Sequence, residues 1–218
     1  MIGLMIKDLK IMLLQKNFLF MILAVVIGMM ILNEDVIFPL CFLSFVMSLF
    51  VLTTISYDEF DNGNAFLFTL PITRKEYVIE KYGLALLLGS GSWIAAVLMG
   101  LAASSIKGTM PIADLLMIAF LIVPMIILMQ AIMLPFQLKF GGEKGRIAMI
   151  GVFGAIAVLG ILLTKGADFF FHIDVFAVLD RLTSIHMGIL LLLLTLIALF
   201  CLYISLKVSL SIMKHKEF

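Results

Sequence analysis

Residues 36–56 carry no charged side chain, and as a helix they would extend roughly 32 Å, about the thickness of a bilayer's hydrocarbon core. This run constrains the fold more than anything else in the chain. In lipid a backbone must satisfy its own hydrogen bonds, and a single segment does that only as a helix. Comparable apolar runs lie at 18–32, 83–106, 112–138, 147–164 and 187–206. They cannot all be hidden inside a soluble core. The 218 residues are 64% hydrophobic and only 13% charged, whereas soluble domains are about a quarter charged. The expected fold is all-α and polytopic: one transmembrane domain over 1–218, with six membrane helices.

The segments between the runs have distinct characters. Residues 1–17 are apolar but punctuated by Lys7, Asp8, Lys10, Gln15 and Lys16, the pattern of a helix lying in the membrane interface. Those charges also speak against a cleavable signal peptide. Span four contains Pro124 and Pro135, which free backbone carbonyls that neighbouring helices must satisfy. With the N-terminus inside, every basic residue except Lys107, Lys165 and Arg181 falls on the cytoplasmic side, a strong positive-inside bias that places both termini in the cytoplasm.

Several function classes are excluded. A net charge of +1, with the basic residues spread along the chain, leaves no footprint for nucleic acid. Cys41 and Cys201 lie in apolar runs and read as small hydrophobes, with no metal site. No span core holds an ionisable residue, which argues against a proton- or sodium-driven carrier and against an embedded enzyme. Gly89-Ser90-Gly91-Ser92 reads as a close-packing face. No phosphate-binding loop is present, since the glycine-rich 141–145 stretch lacks both the spacing and the hydroxyl residue.

That leaves residues 57–82, a charged island predicted to face the cytoplasm. Asn62-Gly63 suggests a left-handed cap closing span two. Asn64 suggests a cap for a short helix over 65–70, which Pro71 ends. Thr73-Arg74-Lys75-Glu76 spells a capping box, with Ile72 and Tyr77 placed for a hydrophobic staple. Phe66, Leu67, Phe68 and Leu70 suit either a groove on a soluble partner or the lipid headgroup layer.

The stretch Ser56-Tyr57-Asp58-Glu59, followed by Leu70-Pro71-Ile72-Thr73-Arg74-Lys75-Glu76-Tyr77-Val78 and Lys81-Tyr82, resembles the hallmark segment of small bacterial ABC-2 type permeases, membrane subunits of type V-like ABC exporters. The six-span layout with an interfacial N-terminal helix is similar to theirs, and in size the chain is closest to permeases that export phenol-soluble modulins and related amphipathic peptides. The resemblance implies a half-transporter working with a second copy or a paralogue and with two copies of a cytoplasmic ATPase. This chain would bind no cofactor itself, ATP and Mg entering through the ATPase. It implies that the loop is a coupling helix, with Asp58, Glu59, Phe66, Leu70, Pro71, Arg74 and Tyr77 as coupling residues. It also implies a path lined by spans two and five, with Phe42, Phe45, Met47, Phe50, Thr53 and Thr54 from the former and Phe153 from the latter. Residues 165–186 would form a short extracellular helical hairpin whose Phe169, Phe170, Phe171 and Phe176 gate the exit, or would simply lie at the headgroups. The expected cargo is an amphipathic or hydrophobic peptide. A bacteriocin-immunity or drug-resistance exporter and a non-transporting scaffold are the alternatives.

Overall fold

The computed structural model describes residues 2–33, 35–60, 63–141, 147, 150–151, 154, 158 and 187–216. Among them every regular element is an α-helix. The order is α1 (Ile2–Leu14), α2 (Lys16–Leu32), α3 (Ile37–Ser48), α4 (Phe50–Glu59), α5 (Gly63–Leu67), α6 (Arg74–Lys107), α7 (Ile112–Phe140) and α8 (Met187–His215). Four segments are long and apolar enough to cross a membrane: Ile37–Glu59, Arg74–Lys107, Ile112–Phe140 and Met187–His215. The pair α1–α2 makes a fifth if counted as one span, bent by 67° at Gln15. The chain is thus a multi-pass helical membrane protein. The expected span at 147–164 falls largely outside the described residues, and the expected outer hairpin at 165–186 entirely outside them.

Two apolar cores stack along the bundle. One gathers Val51, Ile55, Tyr77, Val78, Leu84, Leu134 and Leu138 around the α4–α6–α7 contact. The other gathers Met12, Val26, Leu40, Leu43, Ala96 and Leu115 around α2, α3 and α6. Between apolar helices in lipid the hydrophobic effect gives little, so polar contacts and close packing fix the register. Several such contacts occur. Gln130 Nε2 donates to the Ala85 carbonyl (2.7 Å), joining α7 to α6. Gln137 Nε2 donates to Ser56 Oγ (2.9 Å), joining α7 to α4. Tyr82 Oη lies 2.6 Å from Ser205 Oγ and 2.8 Å from Ser209 Oγ, joining α6 to α8.

The prolines of α7 account for one of the joints. Pro135 has no N–H for the carbonyl of Ala131, one helical turn back. Ser205 Oγ donates to that carbonyl at 2.5 Å, so the group freed inside α7 is satisfied from α8. Ser205→Ala is expected to cost about 1–2 kcal/mol by stranding a buried acceptor. A fall in the thermal midpoint of the detergent-purified protein, absent in a Thr195→Ala control whose hydroxyl bonds only within α8, would register it.

The second predicted span is not one straight helix. It is interrupted at Leu49, where α3 ends and α4 begins, and the amide of Leu52 donates back to the Leu49 carbonyl. Two readings of the loop are corrected. Gly63 is not a left-handed cap: it is the first residue of α5, and among the described residues the positive-φ glycines are Gly108 and Gly141. Asn64 is not a cap either; it lies within the same helix, buried, with Oδ1 unpaired. Gly63 has no side chain because a Cβ there would lie 2.8 Å from the backbone oxygen of Asp58, at the end of α4.

Candidate functional site

The segment between α4 and α6 folds into an elbow. Its near wall is the short α5, and its turn runs through Thr69, Leu70 and Pro71, with the amide of Ile72 donating to the Leu70 carbonyl (2.6 Å). α6 then starts on the capping box. Thr73 Oγ1 accepts from the Glu76 amide (3.2 Å), and Glu76 Oε2 accepts from the Thr73 amide (2.9 Å). These reciprocal bonds satisfy two orphan amides at the helix start and fix the angle at which the elbow meets α6. Leu67 and Phe68 turn inward, and the Phe68 ring packs edge-on against Tyr77 at 5.7 Å. Phe66 and Leu70 turn outward, at 71% and 43% exposure, with Pro71 also exposed.

Beneath the elbow lies a buried cluster of charges. Lys81, fully buried on α6, places its ammonium against Asp8 of α1, 2.8 Å from Asp58 Oδ2 of α4 and 3.1 Å from Thr54 Oγ1. Lys7 of α1 bonds Asp58 Oδ1 and sits 3.1 Å from Asp8. Tyr77 Oη donates to Asp58 Oδ2 (3.1 Å). The first segment of the chain, the end of the second span and the start of the third are therefore joined by ion pairs that water hardly reaches. Burial alone would lower the Lys7 pKa. The hydrogen bond that Lys7 donates to Asp58 and the charges of Asp58 and Asp8 outweigh it and hold the ammonium above its usual range.

The cluster is not balanced. Lys81 donates to Asp8 and Thr54 and pairs with Asp58. Glu80, equally buried, has neither carboxylate oxygen hydrogen-bonded and stands 3.9 Å from Lys81. Counting Asp8, Asp58 and Glu80 against Lys7 and Lys81, an ionised Glu80 supplies the odd negative charge.

A second clamp holds the elbow to the end of the chain. Arg74 donates to the carbonyls of Met213 (3.1 Å) and Lys214 (2.9 Å), capping the last turn of α8 with a cation where the helix dipole favours one. Lys216 Nζ reaches Glu59 Oε1 (2.7 Å) and the Leu138 carbonyl (2.8 Å). Glu59 lies over Gly141, whose φ of 80° and lack of a side chain let the carboxylate approach.

The residues singled out in the sequence thus divide. Phe66, Leu70 and Pro71 form an exposed face, while Asp58 and Tyr77 lie beneath it and Glu59 and Arg74 engage the C-terminal segment. Of the suggested path residues, Phe42, Phe45, Met47 and Thr53 are half-buried along α3 and α4. Phe50 is buried against Phe18 at 5.8 Å between centroids, and Thr54 belongs to the ion cluster. Phe153, Phe169, Phe170, Phe171 and Phe176 lie outside the described residues. Sequence reading missed Lys7, Asp8, Glu80 and Lys81 as site residues. A faint signal existed: Thr54 and Asp58, like Tyr77 and Lys81, are polar pairs one turn apart on otherwise apolar helix faces.

The family model described as ABC-2 family transporter protein matches residues 3–214, and the chain belongs to that family. It is accordingly the membrane component of an ABC transporter, works with an ABC ATPase and is not itself the catalyst. No curated protein and no solved structure matches it.

Proposed function

We propose that the chain is the permease subunit of an ATP-driven exporter, pairing with a second copy or a paralogue above two ATPase subunits and moving amphipathic or hydrophobic peptides outward. The observation that carries this reading is the elbow. Phe66 and Leu70 present apolar surface to the outside of the bundle, on a base fixed by the capping box and the ion cluster. Such a device fits a lever, because a push on the exposed face is delivered to α1, α4 and α6 together. The chemistry of α3, with Phe42, Phe45 and Met47 half-buried, suits an adaptable apolar cargo. The bend at Gln15 would let α1 lie in the interface while α2 enters the membrane.

The test is co-reconstitution with the cognate ATPase in liposomes. Amphipathic helical peptides are expected to stimulate ATP hydrolysis and to be moved across the bilayer only when ATP is supplied. ATPase activity indifferent to every peptide tried, with no ATP-dependent movement, would sink the peptide assignment. A response confined to antibiotics or bacteriocins would replace it with the resistance reading.

A further inference from the structure

The seam between α7 and α8 carries features that the transport cycle does not use. It carries a groove of about 420 Å³ whose walls include Ile132, Pro135 and Phe136 of α7 and Cys201, Ile204 and Val208 of α8. The groove exists because its floor is made of small residues. Pro135 withdraws a hydrogen-bond donor, Ser205 replaces it, and Ala131 accepts, leaving no long side chain at that level. One turn nearer the helix ends the seam opens into a second pocket of about 370 Å³, lined by Lys139 of α7 and by Ser211, Ile212, His215 and Lys216 at the end of the chain. Residues 132, 136 and 139, and likewise 204, 208, 211 and 215, are three or four apart, so each set runs down a single helix face and the two pockets are consecutive along one seam.

We propose that this seam binds one anionic phospholipid, with an acyl chain in the apolar groove and the phosphate headgroup at Lys139, His215 and Lys216. The order of chemistries is that of a phospholipid, hydrocarbon leading to a charged head. No acidic residue lines the head pocket among the described residues. Glu59 bonds Lys216, and among the described residues Lys139 has no carboxylate partner. The carbonyl ends of α7 and α8 repel an anion, so the preference must come from the side chains. Lys216 already covers one of those carbonyls, that of Leu138. The apolar stretch explains why a free phosphate would not suffice. The same Lys216 is shared with Glu59 at the end of α4, so an occupied head pocket is felt at the segment leading into the elbow.

The experiment uses the full chain in its purified complex, in nanodiscs of phosphatidylcholine with or without phosphatidylglycerol, followed by native mass spectrometry of retained lipid. Phosphatidylglycerol is expected to be retained over phosphatidylcholine by roughly tenfold, the scale that one or two lysines supply near an anionic headgroup. Lys139→Gln, at an exposed position that folding does not need, should erase most of that preference and leave phosphatidylcholine retention unchanged. Val208→Trp, which fills the groove, should reduce retention of both lipids. Equal retention of the two lipids by the wild type would overturn the proposal, as would an unchanged preference in Lys139→Gln. So would inorganic phosphate alone raising the melting temperature as far as phosphatidylglycerol does.

Discussion

Lys81→Met is expected to destabilise the protein by about 3–5 kcal/mol, because it leaves the buried carboxylates of Asp8 and Asp58 to share the single, partly exposed cation of Lys7. The cost is not that of one hydrogen bond. Lys81 is fully buried and is the point where α1, α4 and α6 meet, so its loss leaves like charges facing each other in a site that water hardly reaches. Thermal unfolding in detergent, monitored by the loss of monodisperse protein, should show the drop. Asp8→Asn in the Lys81→Met background should recover part of it by removing one stranded charge. Glu80→Gln should be neutral or stabilising, since it deletes the unpaired member of the cluster while keeping its shape. A stable Lys81→Met protein, or a Glu80→Gln protein as damaged as Lys81→Met, would show that the cluster does not hold the three helices together.

The second large effect concerns the elbow itself. Phe66→Glu with Leu70→Glu is expected to lower affinity for the ATPase by about a hundredfold or more, from the lost burial of two apolar side chains and the placement of carboxylates in an apolar contact. Folding should be unaffected, because both residues are exposed. Pull-down of the ATPase should fail while the melting temperature stays at the wild-type value. Arg74→Glu should behave in the opposite way. It removes the cap on the last turn of α8 and sets a carboxylate against the carbonyls of Met213 and Lys214, so the melting temperature should fall first and ATPase binding should follow only as far as the fold is lost. If the doubly charged elbow still holds the ATPase, the exposed face is not the docking surface.

These contrasts mark what the chain discloses before it folds. The helical runs at 36–56, 83–106, 112–138 and 187–206 and the Thr73–Glu76 box were legible, since each rests on neighbouring residues and on backbone geometry, whereas the short helix expected over 65–70 spans Gly63–Leu67 and ends before Pro71 is reached. The ion cluster was not. Asp8 and Lys81 belong to separate helices, and nothing local distinguishes a charge that will be buried from one that will be solvated. Asn62-Gly63 fitted a left-handed cap by dipeptide, but the glycine answers to the backbone oxygen of Asp58, a contact that no local rule supplies. In the spans the periodic signal is weak because almost every position is apolar. The faces of α7 are set instead by Gln130 and Gln137, whose partners on α6 and α4 appear only once the helices are side by side.

The ion cluster also dictates an order of manufacture. Residues 7 and 8 leave the ribosome early, yet their partners Asp58 and Lys81 lie at the end of the second span and the start of the third. Until Lys81 emerges, Asp8 has only its neighbour Lys7, a cation that Asp58 also engages, and α1 lacks the buried partner that ties it to α6. The arrival of the third span is therefore the event that lets α1 dock, and a nascent chain halted before residue 81 should leave its first helix open to protease, one halted well beyond it protected.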